Sequence, residues 1–196
     1  MLRRWQLLDS RWTARQEAHT ILGEQIERPG ATRPGVFYLG GKMPNALHYR
    51  TEEEIEDVVH RFEACSYTPV EFVHARHLTV AAWFFATMEP AAARQKMRAG
   101  LRRFIAHHGK NGYHVTITEF WLGRVEKLVA ELREREEDLV PLVNSVVERN
   151  SDKNLVYEFY SRERIASPEA KARWIEPDIK SIGTRRYQSI SPRRVP

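Results

Sequence analysis

The sequence predicts an all-α protein: a four- or five-helix up-and-down bundle with an N-terminal helical arm and a flexible basic C-terminal tail. Three observations indicate this class. Apolar residues recur at helical spacing along most of the chain, several segments open with helix-capping residues, and no alternating strand pattern of convincing length occurs. Hydrophobic residues make up 42% and charged residues 29% of the 196 residues, as is typical of a globular domain.

The chain divides into three predicted parts. Residues 1–50 form an N-terminal arm and an irregular segment, residues 51–182 form the helical bundle domain, and residues 183–196 form a disordered basic tail. The arm contains a helix from about Ser10 to Arg28. The Pro- and Gly-rich stretch that follows, up to residue 50, is interpreted either as a lid or as a linker.

The first bundle helix begins at Thr51, which forms a capping box with Glu54. Its apolar stripe runs to Cys65, which is interpreted as a small buried hydrophobic residue. As the only cysteine, Cys65 can form no internal disulfide. The stripe consists of Ile55, Val58, Val59, Phe62 and Cys65.

The second helix, predicted from Thr68 to Met88, is the segment around which we expect the bundle to be organised. Thr68 is a good N-cap, Pro69 suits the first helical position, and Glu71 completes a capping box. This helix should be the most buried, and two histidines should point inward. Its predicted inward stripe contains Val70, His74, His77, Ala81, Phe84 and Met88, with Val73 and Val80 beside it.

Three further long helices complete the predicted bundle. They extend from about Pro90 to His108, from Tyr113 to Glu134, and from Leu139 to Arg149. On the second of these three, His114 opens the inward stripe and Glu119 lies off it. Short helices are expected near Leu155, Val156, Phe159 and Tyr160, and from the cap Ser167 to about Trp174.

Three inward-facing histidines, His74, His77 and His114, predict a metal centre. Imidazoles suit one divalent transition metal such as Fe or Zn, and Glu71 is a possible additional ligand because it precedes His74 by one helical turn. Such an ion would permit catalysis on a small-molecule substrate or ligand. The expected pocket lining is Tyr113, Thr118, Trp83 and Trp121.

A second interpretation stays open beside the metal centre. In it the three histidines form a buried hydrogen-bond network that fixes helix register, and the protein is a non-enzymatic structural or protein-interaction module. Glu71 is then the capping partner of Thr68, a role that excludes metal ligation. Whether the protein is an enzyme is left undecided by the sequence.

Charge and hydropathy narrow the range of partners. The last fourteen residues hold four arginines and no acid, so 27 basic residues face 26 acidic ones in the remainder, which argues against nucleic-acid binding. No apolar run approaches the roughly 18 residues that cross a bilayer, so we expect no membrane and a cytoplasmic location. Trp12, Trp174 and Tyr187, outside the core helices, suit docking of the arms or a homo-oligomer contact.

Three motifs together resemble a widespread bacterial family of small all-helical proteins of unknown function. They are His74-Ala-Arg-His77-Leu78, then Gly112-Tyr113-His114-Val-Thr116-Ile-Thr118 with Trp121, and Ser167-Pro168-Glu-Ala with Trp174, Pro177 and Asp178. The resemblance covers about residues 51 to 180. It implies that the His-x-x-His and Gly-Tyr-His segments belong to one structural unit, and it names no activity.

Overall fold

A computed structural model describes residues 47–135 and 138–182 of the chain. The predicted helix from Ser10 to Arg28, the rest of the arm before residue 47, and the tail 183–196 lie outside the described residues. Within the described residues the chain forms α-helices, one 3₁₀-helix and no strand, which confirms the all-α prediction.

Five long helices form the bundle, and three short ones follow. The long helices are α1 (Glu52–Glu63), α2 (His74–Thr87), α3 (Pro90–His107), α4 (Val115–Arg133) and α5 (Leu139–Arg149). The short ones are a 3₁₀-helix (Lys153–Glu158), α6 (Arg162–Ala166) and α7 (Pro168–Ala172).

Helix α2 occupies the centre of the bundle and packs against all four other long helices. Ten of its fourteen residues are buried. Its sequence from Leu78 to Ala86 is apolar except for Thr79, so it offers no polar face to solvent and is stable only when surrounded. The prediction that this segment is the most buried helix is therefore confirmed.

The predicted start of this helix at Thr68 is wrong, because α2 begins at His74. The capping-box contacts themselves do form. The Glu71 amide donates to Thr68 Oγ1 at 3.3 Å, and the Thr68 amide donates to the Glu71 carboxylate at 2.8 Å. They close a separate turn, after which the backbone at Val73 is extended, with φ −73° and ψ 167°.

Packing of Phe72 explains the later start. Its side chain is buried and stacks on Phe62 of α1 with ring centroids 4.8 Å apart. This orientation turns Val70 and Val73 to solvent, with 85% and 48% of their surface exposed. The predicted inward positions of these two valines are therefore wrong.

The other helix starts agree with the sequence signals to within two residues. Thr51 caps α1, Pro90 opens α3, and the Ser167 side chain accepts a hydrogen bond from the Ala170 amide at the start of α7. Helix α4 starts at Val115, two residues after the predicted Tyr113, with His114 as its N-cap. Cys65 is buried, as expected.

The apolar side chains form two clusters. The main core surrounds α2 and draws residues from all five long helices. The second lies between α4 and the segment 155–182, which we call the C-terminal segment, and includes Phe120, Phe159 and Tyr160. Trp121 of α4 packs against both clusters, so α4 joins the bundle to the C-terminal segment.

Gly100 on α3 allows a close approach to α1, and we expect Gly100→Ala to destabilise the protein. An added Cβ would lie 2.6 Å from Cε1 of the fully buried Phe62. Overpacking of this kind costs about 1–3 kcal/mol, more than the roughly 1 kcal/mol that alanine gains in a helix. Urea denaturation measures the change in the free energy of unfolding.

Gly123→Ala on α4 is the matched control, because the nearest atom to its added Cβ is 3.8 Å away. This variant should be as stable as the wild type or more stable. Equal stabilisation by both substitutions would contradict the packing assigned to Gly100.

Candidate functional site

Most of the histidines gather at one end of the bundle. The up-and-down order brings the end of α1, the start of α2, the end of α3 and the start of α4 together there. Two contacts show this arrangement: Phe72 packs on Phe104 of α3 at 4.9 Å, and Arg103 donates to the Glu63 carbonyl at 3.0 Å. Of the seven histidines among the described residues, six lie at this histidine end: His60, His74, His77, His107, His108 and His114.

His74 opens α2 and binds the end of α5. Its Nε2 lies 2.9 Å from the Asn150 carbonyl, which only accepts, so Nε2 carries the proton. Its ring meets Trp121 of α4 edge-on, with centroids 4.5 Å apart. Burial lowers the pKa of His74, and Lys153 adds to this effect, whereas the bond to Asn150 opposes it. His74 therefore connects three helices as a neutral imidazole.

His77, one turn later, binds a local carbonyl. Its Nδ1 donates to the Val73 carbonyl at 3.0 Å, which also accepts the amides of Arg76 and His77 at the helix start. The ring lies against Phe72, with centroids 4.0 Å apart. Burial lowers the pKa of His77 to about 4, so the side chain is neutral at pH 7.

His114 uses both ring nitrogens. Its Nδ1 accepts from the Ile117 amide at 3.3 Å, which caps α4, and its Nε2 donates to the Ile165 carbonyl at 2.8 Å, 51 residues further along the chain. Next to it, the Thr116 hydroxyl donates to the Arg173 carbonyl at 2.8 Å. The first turn of α4 is thus fastened to the C-terminal segment by two buried or half-buried polar side chains.

The three predicted site histidines each bind a different segment of the protein. His74 binds the end of α5, His77 binds the chain just before α2, and His114 binds α6. In the part of the chain that the structure describes, no group of three or more His, Cys, Asp or Glu residues is placed to hold a metal ion. The metal centre therefore stays a prediction.

Glu71, the possible additional ligand, is occupied by the turn that precedes α2. Its carboxylate accepts from both the amide and the hydroxyl of Thr68 at 2.8 Å, and these bonds lower its pKa. Its other neighbour is Arg61, 3.9 Å away. The capping-box interpretation of Glu71 is confirmed in its contacts.

The four predicted pocket-lining residues occupy different parts of the fold. Trp83 is buried in the main core, whereas Trp121 is half-buried beside His74. Tyr113 hydrogen-bonds Thr118 and lies under the Arg102 guanidinium at 4.7 Å. A depression of about 540 Å³ on another surface contains none of the four; its lining is His48, Tyr49, Arg50, Val140, Pro141, Asn144, Ser145 and Glu148.

Asn150, the residue after the predicted end of the last long helix, is a site residue that the sequence did not reveal. It is 2% exposed, and its Nδ2 donates to the Val146 carbonyl at 2.9 Å. Its Oδ1 accepts from Arg124 Nε at 3.2 Å, while its carbonyl accepts from His74. An asparagine that ends a strongly apolar helix was the available signal.

Comparisons with known proteins found no matching family model, no matching curated protein and no matching solved structure. The resemblance to the bacterial family stays a prediction. Among the described residues, no helix has the length and apolar character that crossing a bilayer requires.

The depressed pKa of His77 predicts that stability falls in acid. In the unfolded chain His77 titrates near 6.5, and in the folded protein near 4. Between these values the unfolded state binds a proton that the folded state does not, so stability is fully present above about pH 6.5 and is lost as pH falls toward 4. The loss is at most about 3.5 kcal/mol, since one pKa unit corresponds to about 1.4 kcal/mol.

Urea denaturation from pH 7.5 to 4.5 measures this slope in the wild type and in His77→Gln. The free energy of unfolding of the variant should depend much less on pH than that of the wild type, because the variant has no imidazole at position 77. His107→Gln, which changes an exposed histidine at the same end, should keep the wild-type slope. Identical slopes in all three proteins would contradict the neutral, buried state assigned to His77.

Proposed function

We propose that this protein is a non-enzymatic helical interaction module in which His74, His77 and His114 are structural hydrogen-bond donors. One observation carries the proposal: each of the three imidazoles donates a ring N–H to a backbone carbonyl, and the three carbonyls belong to three different segments. Asn150 and Ile165 are buried, so their carbonyls need such a partner, and an unpaired buried carbonyl costs about 1–3 kcal/mol.

The role of His114 supports this proposal over a metal centre. A ligating imidazole needs a free lone pair, and the lone pair of His114 Nδ1 already accepts the Ile117 amide. His74 Nδ1 and His77 Nε2 have no hydrogen-bond partner among the described residues, but the bonded sides of these rings point to α5 and to Val73. Two histidines that bind carbonyls of different segments are better placed to hold those segments together than to bind one metal ion.

The proposal gives the histidine end a mechanical role. The bonds from His114 and Thr116 hold the C-terminal segment against α4, and the bond from His74 holds the end of α5 against α2. A module held this way presents a fixed surface to a partner. A cytoplasmic location belongs to the same proposal and is supported by the lone, buried Cys65.

The test combines metal analysis with unfolding of the full-length chain, purified without a histidine tag. We expect metal well below one ion per chain and no change in Tm on addition of EDTA. His114→Ala should lower the free energy of unfolding by about 1–3 kcal/mol, because it removes the α4 cap and leaves the Ile165 carbonyl unpaired. His107→Ala is the control and should unfold like the wild type.

A contrary outcome would restore the metal interpretation. Near-stoichiometric Fe or Zn in the wild type, absent from a His74→Ala/His77→Ala variant that is still folded by circular dichroism, would show ligation. In that case EDTA should also lower the Tm of the wild type, because bound metal stabilises the folded state.

A further inference from the structure

Arg124 on α4 is a half-buried cation that has no acidic partner. Its Nε donates to Asn150 Oδ1 at 3.2 Å, and its guanidinium carbon lies 5.9 Å from the centre of the Phe120 ring. Among the described residues, no carboxylate forms an ion pair with it. Its terminal nitrogens Nη1 and Nη2 make no hydrogen bond in that part of the chain. Both nitrogens are therefore free to donate to another molecule.

Two half-buried arginines on the neighbouring helix α3 are paired. Arg94 and Arg98 both bind the Glu119 carboxylate, at 3.3 and 2.6 Å. A guanidinium stays charged at neutral pH, and a charge that has lost part of its water needs a counter-charge. Burial lowers the pKa of Arg124, and the Glu158 carboxylate, which forms no ion pair with it, opposes this only in part. The charge of Arg124 is thus incompletely compensated within the protein.

Asn150 brings Arg124 close to His74. The Asn150 carbonyl accepts from His74 Nε2 at 2.9 Å, while its side chain accepts from Arg124. Because Nε2 carries the proton, Nδ1 of the neutral ring is an acceptor, and no described residue donates to it. Trp121, one turn before Arg124 on α4, lies edge-on against the His74 ring. Unpaired guanidinium donors and one unpaired imidazole acceptor therefore lie around a single buried asparagine, beside an aromatic ring.

The charges around these two side chains favour an anion. Lys153 and Asp152 act on the imidazole, and Glu158 acts on Arg124. Both carboxylates are engaged elsewhere, since Asp152 caps the 3₁₀-helix and Glu158 lies 3.9 Å from Lys180. Three cations, counting Arg124, thus face two carboxylates, which leaves one positive charge in excess.

We infer that Arg124 and His74 form a phosphate site. Two unprotonated oxygens of the phosphate accept from the guanidinium, whose planar fork matches them, and the P–O–H group donates to His74 Nδ1. Sulfate and carboxylate carry no such hydrogen at neutral pH, so the imidazole acceptor selects hydrogen phosphate. Inorganic phosphate and a singly protonated phosphate monoester share this chemistry.

The phosphate site goes beyond the proposed histidine role. It uses the free Nδ1 of His74 and leaves the Nε2 bond to Asn150 in place. Arg124, which carries the affinity, takes no part in that role. A protein without affinity for phosphate would keep the stability assigned to His114, and a failure of that assignment would leave Arg124 uncompensated.

NMR titration of the full-length chain with inorganic phosphate tests the inference. The titration is run at about pH 7, with sodium chloride holding the ionic strength at roughly 0.15 M so that screening stays constant. We expect the ¹⁵N resonance of His74 Nδ1 to shift saturably, because this nitrogen receives a hydrogen bond. The ring resonances of His77 and His114 should stay in place.

Variants of Arg124 locate the affinity. Arg124→Gln should bind phosphate at least about tenfold more weakly, because it removes hydrogen bonds from a charged donor. Arg124→Lys keeps the charge but loses the fork, so it should also bind more weakly than the wild type. Arg149→Gln removes the same charge from an exposed residue next to Asn150 and should bind like the wild type. Circular dichroism confirms that each variant is folded.

A change of ligand tests the role of His74 without a substitution. Sulfate should bind at least about threefold more weakly than phosphate, because it has no hydrogen for Nδ1. Phenyl phosphate distinguishes the two sources of the group. Tighter binding than that of inorganic phosphate would identify a monoester as the ligand, and weaker binding would identify inorganic phosphate.

Three results would overturn the inference. They are a His74 Nδ1 resonance that phosphate does not move, a phosphate affinity that is unchanged in both Arg124 variants, and sulfate binding as tight as that of phosphate.

Discussion

The structure depends on a helix that has no solvent-facing side. Helix α2 is enclosed by α1, α3, α4 and α5, so a buried polar group on it needs a partner inside the protein. Thr79, in the middle of α2, shows how one such group is paired. Its hydroxyl donates to the Ala75 carbonyl at 2.9 Å and accepts from the Tyr49 hydroxyl at 2.9 Å. Tyr49 in turn is held by two hydrogen bonds between its backbone and Asn144 of α5.

The same constraint explains why histidines stand at the start of α2. Imidazole supplies an N–H donor on a mostly apolar ring, so it can pair a nearby carbonyl and still pack against the core. His74 and His77 each serve one carbonyl and pack their rings on Trp121 and Phe72. A charged side chain in these positions would carry a desolvation penalty, which is the physical cause of the lowered pKa of both histidines.

The features that could be predicted from the sequence are those that depend on residues close together in the chain. The apolar run after Leu78 marks the central helix, and the caps Thr51 and Ser167 mark helix starts, because propensity and capping act over a few residues. The start of α2 was predicted wrongly because a tertiary contact between Phe72 and Phe62 overrides a complete local capping box. The two histidines of this helix were expected to point inward, and the structure places both of them half-buried.

The partners of the site residues had no sequence signature. The carbonyls that accept from His74 and His114 lie 76 and 51 residues away, and any residue type supplies a carbonyl. Asn150 was detectable only as a helix end, and Glu119 only as a residue off the predicted stripe, although it binds Arg94 and Arg98 across two helices. Residue identity therefore indicated which side chains matter, and the fold was needed to show what they bind.

Long-range ¹H–¹⁵N NMR of the histidine rings at neutral pH tests the central claim most directly, because it reports which nitrogen carries the proton. The hydrogen bonds require the Nε2–H tautomer for His74 and His114 and the less common Nδ1–H tautomer for His77. We expect three neutral rings with these fixed tautomers, unchanged by EDTA. A charged His77, rapid tautomer exchange at His114, or resonances that move when metal is removed would contradict the account.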